Sequence, residues 1–147
     1  MKNLLIVYLV VTLTGCAIGG KKTETDIYQE ALVTASTSSG QVMKNIFTVE
    51  IPSHGLIADQ VVIGLSGGAN ATYLREVLTK LKKSPECSIL ITGTSPSLNY
   101  SVMSNAMKGM DLSGIHIIYS TQSAKYENVK QAVEQTGAQF SFISGKK

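Results

Sequence analysis

Four short apolar runs in the last two thirds of the chain constrain its fold more than any other sequence feature. Residues 61–65 (VVIGL) and residues 88–92 (SILIT) are rich in β-branched side chains, as in strands that are buried on both faces. Residues 115–119 form the third run. In the fourth, residues 138–143, apolar and polar side chains alternate, which favours a strand at a sheet edge. The sequence therefore predicts four strands.

The segments between these runs have the patterns of helices. Ser95 followed by Pro96 predicts the start of the second helix, and Ser123 and Gly137 are placed to begin and end the third. The first helix has an apolar stripe at i, i+3, i+4 and i+7, formed by Leu74, Val77, Leu78 and Leu81. The order β-α-β-α-β-α-β predicts a small three-layer, Rossmann-like α/β domain with a mainly parallel sheet over residues 60–147, because right-handed crossovers place helices on the faces.

A shorter region, residues 26–59, precedes this predicted domain. Residues 27–35 fit one short helix with small and apolar side chains on one side, and residues 36–40 (STSSG) interrupt that pattern. Residues 45–51 alternate as in a half-buried strand that Pro52 ends. We expect residues 26–59 to form a helix and a strand ahead of the α/β domain.

The first sixteen residues have the pattern of an export signal. Lys2 precedes an apolar run, residues 4–13, which is shorter than the roughly 20 residues that cross a bilayer. The sequence Leu13-Thr14-Gly15-Cys16 then resembles the lipobox of bacterial lipoproteins. The resemblance implies a signal peptide over residues 1–15, cleavage before Cys16, and a lipid on that cysteine. The alternative is a buried apolar helix that begins at Met1.

The lipoprotein resemblance carries further expectations. Residues 16–25 would be the lipidated N-terminus and a flexible tether, since residues 17–25 (AIGGKKTET) are rich in Gly, Lys and Thr. Ala17, rather than Asp, follows the cysteine, which implies lipid anchoring at the outer membrane with the domain facing the periplasm. Lipidation of Cys16 leaves Cys87 as the second of two cysteines, so we expect no internal disulfide and a buried Cys87.

Charge and titratable residues argue against several functions. Thirteen basic and ten acidic residues are scattered along the chain, and a net charge of +3 is not typical of nucleic-acid binding. Ligands of parallel sheets bind beyond the carboxyl ends of the strands. The predicted ends carry Gly, Ser and Thr but no His, Cys, Asp or Glu; they are residues 64–70, 93–97, 120–123 and 144–147.

The titratable residues are predicted to lie elsewhere. His116 falls inside a strand and fits a partly buried histidine, and His54 precedes the predicted domain. Asp59, Glu86 and Asp111 fall near the opposite ends of the predicted strands. Because acid–base and metal chemistry need such groups together in one cleft, we expect no enzymatic activity, no metal and no cofactor.

The turn Ser66-Gly67-Gly68 is the candidate ligand site. Together with the apolar run before it, this turn resembles the pyrophosphate loop of ATP pyrophosphatases, in which backbone amides at a helix N-terminus hold phosphate. Asn70 and Ala71 stand where that family has Asp and Ser. The alternative is a tight glycine turn that lets a helix pack closely on its strand.

Two functions from different classes remain open. One is a non-catalytic envelope lipoprotein whose domain binds other proteins, with the edge strand at residues 138–143 as its docking surface. The other is a periplasmic small-ligand or anion binder that uses Ser66, Gly67 and Gly68. In length and layout the chain resembles the small lipoproteins of conjugal-transfer and type IV secretion systems, including the TrbH type.

Lipidation gives the first testable prediction. Cells that make the wild-type protein should incorporate labelled palmitate into it, whereas the Cys16→Ala variant should stay unlabelled because it lacks the thiol that carries the diacylglycerol. Equal labelling of the two proteins would refute the lipobox assignment.

Overall fold

The computed structural model describes residues 19–84 and 87–147, and within them the chain forms five helices and four strands. In chain order these are α1 (Glu24–Ser39), β1 (Phe47–Ile51), α2 (Leu56–Gly64), α3 (Gly68–Leu81), β2 (Ser88–Gly93), α4 (Pro96–Met107), β3 (His116–Thr121), α5 (Glu127–Glu134) and β4 (Gln139–Ser144).

The four strands form one parallel sheet in the order β1-β2-β3-β4. β2 and β3 are the interior strands, and all their residues are buried except the half-buried Thr92. Parallel strands that are buried on both faces need helices on both sides. The sheet confirms the predicted α/β fold and the edge position of the last strand.

Helices cover the two faces of the sheet unequally. On one face, Ile89, Ile91, Ile117 and Tyr119 pack with the buried side chains of α3, α4 and α5 in the larger core. This arrangement is expected when right-handed crossovers connect strands in consecutive order. On the other face, the smaller core contains Leu90, Ile118 and Ile143 with two buried alanines of α1. The fold therefore has three layers.

The prediction of a strand at residues 61–65 is wrong. These residues form the end of α2 and the turn after it, and the strand beside β2 is β1, which pairs with it from Phe47 to Ile51. Val62 and Ile63 pack against the larger core from the helix, whereas Val61 is exposed. Packing overrides the β propensity of this run because β1 already occupies the neighbouring position in the sheet. The sheet thus begins before residue 60.

Helix α1 is longer than predicted. Its N-terminus has a capping box, in which Thr23 and Asp26 each accept a hydrogen bond from the other's backbone amide. The hydroxyl-rich run after Ala35 stays helical, and the hydroxyl of Thr37 donates to the carbonyl of Val33 within the helix. Gly40, with φ of +68°, ends the helix.

The predicted tether at residues 17–25 is also partly wrong. Lys21 forms an antiparallel bridge with Lys146, and the amide of Lys22 donates to the carbonyl of Gly145 at 2.9 Å. Residues 21–25 are therefore part of the domain, because their backbone groups pair with the segment after β4 and continue into α1.

The structure differs from the prediction at Ser95, Ser123 and Cys87. Ser95 is the N-cap residue of α4 as predicted, but its side chain makes no capping hydrogen bond. α5 begins after Tyr126 rather than Ser123, whose Oγ instead accepts from the amide of Lys125 in the preceding turn. Cys87 is exposed rather than buried, because it lies in the segment just before β2 enters the sheet.

Candidate functional site

The candidate residues fall into separate regions. Cys16 lies outside the described residues. The Ser66-Gly67-Gly68 turn connects α2 to α3 and lies against α4, on the face of the larger core. His116 is on the opposite face, in the interior strand β3. The glycine turn and His116 therefore do not lie together in one cleft.

The glycine turn is left-handed at three consecutive residues and is internally hydrogen-bonded. Ser66, Gly67 and Gly68 all have left-handed φ angles, of +55°, +81° and +52°. Their three amides donate to the carbonyls of Ile63, Val62 and Leu65 at 2.9–3.1 Å. An anion at this turn would meet amides that already have acceptors. In the pyrophosphate loop a strand precedes the turn, whereas in this structure helix α2 precedes it.

Gly67 allows a close helix contact. A Cβ at this position would lie 2.9 Å from the Cα of Val102 and 3.0 Å from the Cβ of Ala71. The turn therefore fits the alternative of a glycine that permits tight packing, with the difference that the neighbour is α4 and not a strand.

Asp59 is a buried carboxylate, and its predicted position, away from the carboxyl ends of the strands, is wrong. It lies in α2, beside the carboxyl end of β1, and is only 5% exposed. Its carboxylate accepts from the hydroxyl of Ser53 at 2.6 Å and from the amide of His54 at 3.0 Å. The prediction was wrong because it treats residues 61–65 as a strand that Asp59 precedes, whereas Asp59 and residues 61–64 belong to helix α2. Asp111, by contrast, precedes β3 as expected, and Glu86 lies outside the described residues.

The surroundings of Asp59 indicate a structural role. The Ser53 hydroxyl, then the His54 amide and the Ser95 hydroxyl, hold the pKa of Asp59 below its usual range. This contribution to stability is present above the ordinary pKa of an aspartate and is lost as the pH falls through the lowered value. The carboxylate is used as an acceptor that fixes the loop between β1 and α2.

His116 is a buried histidine, as predicted. Its Nε2 is 2.8 Å from the Oγ of Ser141 on the neighbouring strand, and its Nδ1 has no hydrogen-bond partner among the described residues. Burial lowers the pKa of His116, because the low-dielectric interior disfavours the charged imidazolium. Its environment is the smaller core rather than a cleft.

A buried polar pair supports the end of β2. The side-chain amide of Asn99 donates to the Tyr119 hydroxyl at 2.7 Å, and both residues are fully buried. A Cβ at Gly93 would lie 2.2 Å from Oδ1 of Asn99, so only glycine leaves room for this side chain. Burial raises the pKa of Tyr119. The sequence patterns gave no signal for this pair.

An open groove lies at the carboxyl ends of the strands, beside α1. We call it the sheet groove; it has a volume of about 550 Å³. Its lining includes Glu50, Thr92 and Ser120 from the sheet, Tyr28 from α1, and Lys21 and Gln122 at one end. This is the edge at which parallel sheets bind ligands. The predicted strand ends at Ser120–Ser123 and 93–97 contribute to it.

Two kinds of site are absent from residues 19–84 and 87–147. No three His, Cys, Asp or Glu side chains come together there to hold a metal ion. No helix in the same residues is long and apolar enough to cross a bilayer.

Comparisons with models of protein families, with curated proteins and with solved structures found no match to this chain.

Gly67 gives a prediction with a matched control. Gly67→Ala should lower the free energy of unfolding by about 2 kcal/mol or more, because it adds left-handed strain and a contact with the backbone of Val102. Gly64→Ala adds a Cβ with no atom within 4 Å at the end of α2 and should be neutral or stabilising by up to about 1 kcal/mol. Urea unfolding measures both, and equal losses would contradict the packing role of Gly67.

Proposed function

We propose that this protein is a membrane-anchored envelope lipoprotein that acts as a non-catalytic accessory or structural subunit and binds another envelope protein. The observation that supports this function best is an apolar helix face left open to solvent. On α2 and its C-cap, Leu56, Ile57, Val61 and Leu65 are 81%, 84%, 60% and 68% exposed. Exposed apolar clusters of this kind are typical of interaction sites.

The spacing on α2 gives this face a defined geometry. Ile57, Val61 and Leu65 recur at i, i+4 and i+8, so they share one side of the helix. Asp59 and the half-buried Ile63 lie on the opposite side, toward the domain. A helix that is apolar on its outer side as well as its inner side is expected where a second protein covers it. We call residues 57, 61 and 65 the α2 stripe.

The attachment of Lys21 supports action close to a membrane. The backbone is already paired at Gly20, whose carbonyl accepts from the amide of Lys147 at 2.7 Å, so residues 16–20 are the span between the proposed lipid and the fold. Fully extended, that span reaches roughly 14 Å. If Cys16 carries the lipid, the domain stays next to the lipid surface. The residue after the cysteine, Ala17, supports an outer-membrane position with the domain in the periplasm.

The edge strand β4 is a second candidate docking surface. It lies at the sheet edge, and unpaired edges can accept a strand from a partner. The α2 stripe is the stronger candidate, since it offers apolar area whose burial contributes binding energy. The resemblance to lipoproteins of conjugal-transfer and type IV secretion systems makes those assemblies the first in which to seek the partner.

Site-specific photo-cross-linking in intact cells tests this function. A photoreactive residue at position 61 should form an adduct with one envelope protein, and Ile57→Ser should remove it by interrupting the stripe. The control has the photoreactive residue at position 33, because Val33 is 66% exposed but lies on α1, on the other side of the sheet.

Adducts at position 33 that match those at position 61 would contradict the docking surface. Adducts with phospholipid alone at position 61 would also contradict it, and would make the α2 stripe a lipid contact.

A further inference from the structure

Helix α1 covers only part of its face of the sheet. It packs over Ile118 and Ile143 on β3 and β4, whereas Thr48 and Glu50, on the same face of the edge strand β1, are exposed. The sheet groove is the space that this uneven cover leaves beside α1. It is on the opposite face from α2, so it is separate from the proposed docking surface.

The floor of the sheet groove is a row of polar side chains. In the strand register, Glu50 lies beside Thr92, and Thr92 lies beside Ser120. Adjacent parallel strands are about 4.8 Å apart, so these three side chains present carboxylate and hydroxyl groups at regular intervals across the sheet. The predominantly apolar sheet thus becomes polar at its carboxyl edge.

Ser120 places a buried hydroxyl without a hydrogen-bond partner in the lining of the sheet groove. The residue is 2% exposed, and its Oγ has no hydrogen-bond partner among the described residues. Buried hydroxyls are almost always hydrogen-bonded, because burial removes the water that would otherwise bond them. Ser120 lines the groove, so a bound molecule there can supply the missing partner.

The charges around the sheet groove argue for a neutral occupant. Glu24 and Glu50 contribute negative charge, and Lys21 and Lys22 contribute positive charge. Lys22 is ion-paired with Glu30. Because Glu30 neutralises Lys22, Lys21 is left beside Glu24 and Glu50, and the groove has one excess negative charge, which is too little to hold a polyvalent cation and disfavours a phosphate.

We propose that the sheet groove binds a neutral, hydroxyl-rich small molecule of the mono- or disaccharide class. Such a ligand donates to the Glu50 carboxylate and exchanges hydrogen bonds with Thr92, Ser120 and Gln122. Tyr28, on the α1 wall, adds an aromatic surface. The volume of about 550 Å³ lies within the range of small-ligand pockets.

Calorimetric titration of the full-length protein in detergent tests the proposal. The probes are glucose, N-acetylglucosamine, maltose and N,N′-diacetylchitobiose, with inorganic phosphate as an anionic comparison and trialanine as a zwitterionic one. At least one saccharide should bind with a Kd below 10 mM. Ser120→Ala and Glu50→Gln should each weaken that binding at least fivefold.

The variants separate ligand binding from folding. Ser120→Ala removes a hydroxyl that has no partner in the fold, so its melting temperature should not fall. Ser104→Ala on α4 and Glu76→Gln on α3 are the matched controls outside the groove and should bind like the wild type. No saccharide binding below 10 mM would overturn the proposal. Binding that Ser120→Ala and Glu50→Gln leave unchanged, or binding of phosphate or trialanine alone, would overturn it as well.

Discussion

The pairing of β2 with β3 is the interaction on which the rest of this structure depends. The two strands pair in parallel from Ser88 to Thr92 and are buried from both faces, so each contributes side chains to both cores. Parallel strands need a crossover connection between them, and helices must cover both faces of the sheet to bury its apolar side chains. The helices α3, α4 and α5 supply that cover on one face and α1 supplies it on the other, so neither core forms without this strand pair.

The unequal cover of the two faces explains where the surfaces of interest lie. Three strand connections return on the face of the larger core, and α2 packs outside α4 with its own outer side open. Among the described helices only α1 lies on the opposite face, and it leaves Glu50 exposed and Thr92 half-buried beside the buried Ser120. One fold therefore produces an apolar helix face on one side and a polar groove on the other. The two proposals rest on different observations and can fail separately.

Much of the fold could be predicted from the sequence, and the exceptions have physical causes. β2, β3 and β4 and the helices between them follow from short apolar runs, glycine turns and the i, i+3, i+4 stripe of α3. Residues 61–65 were misassigned because a short apolar run fits a buried strand and a helix equally well, and only packing distinguishes them. That error also displaced Asp59. The missing partner of Ser120 and the fit of Asn99 over Gly93 depend on three-dimensional contacts that no local pattern encodes.

Hydrogen exchange of the full-length protein, followed by mass spectrometry, tests the central role of β2 and β3 most directly. Peptides from Ser88–Gly93 and His116–Thr121 should exchange slowest, because these strands open only when the whole domain unfolds. Peptides from residues 56–65 should exchange many times faster, since α2 lies outside the sheet with one side in solvent. Protection of residues 61–65 equal to that of β2 would contradict the account, because it would place those residues in the sheet.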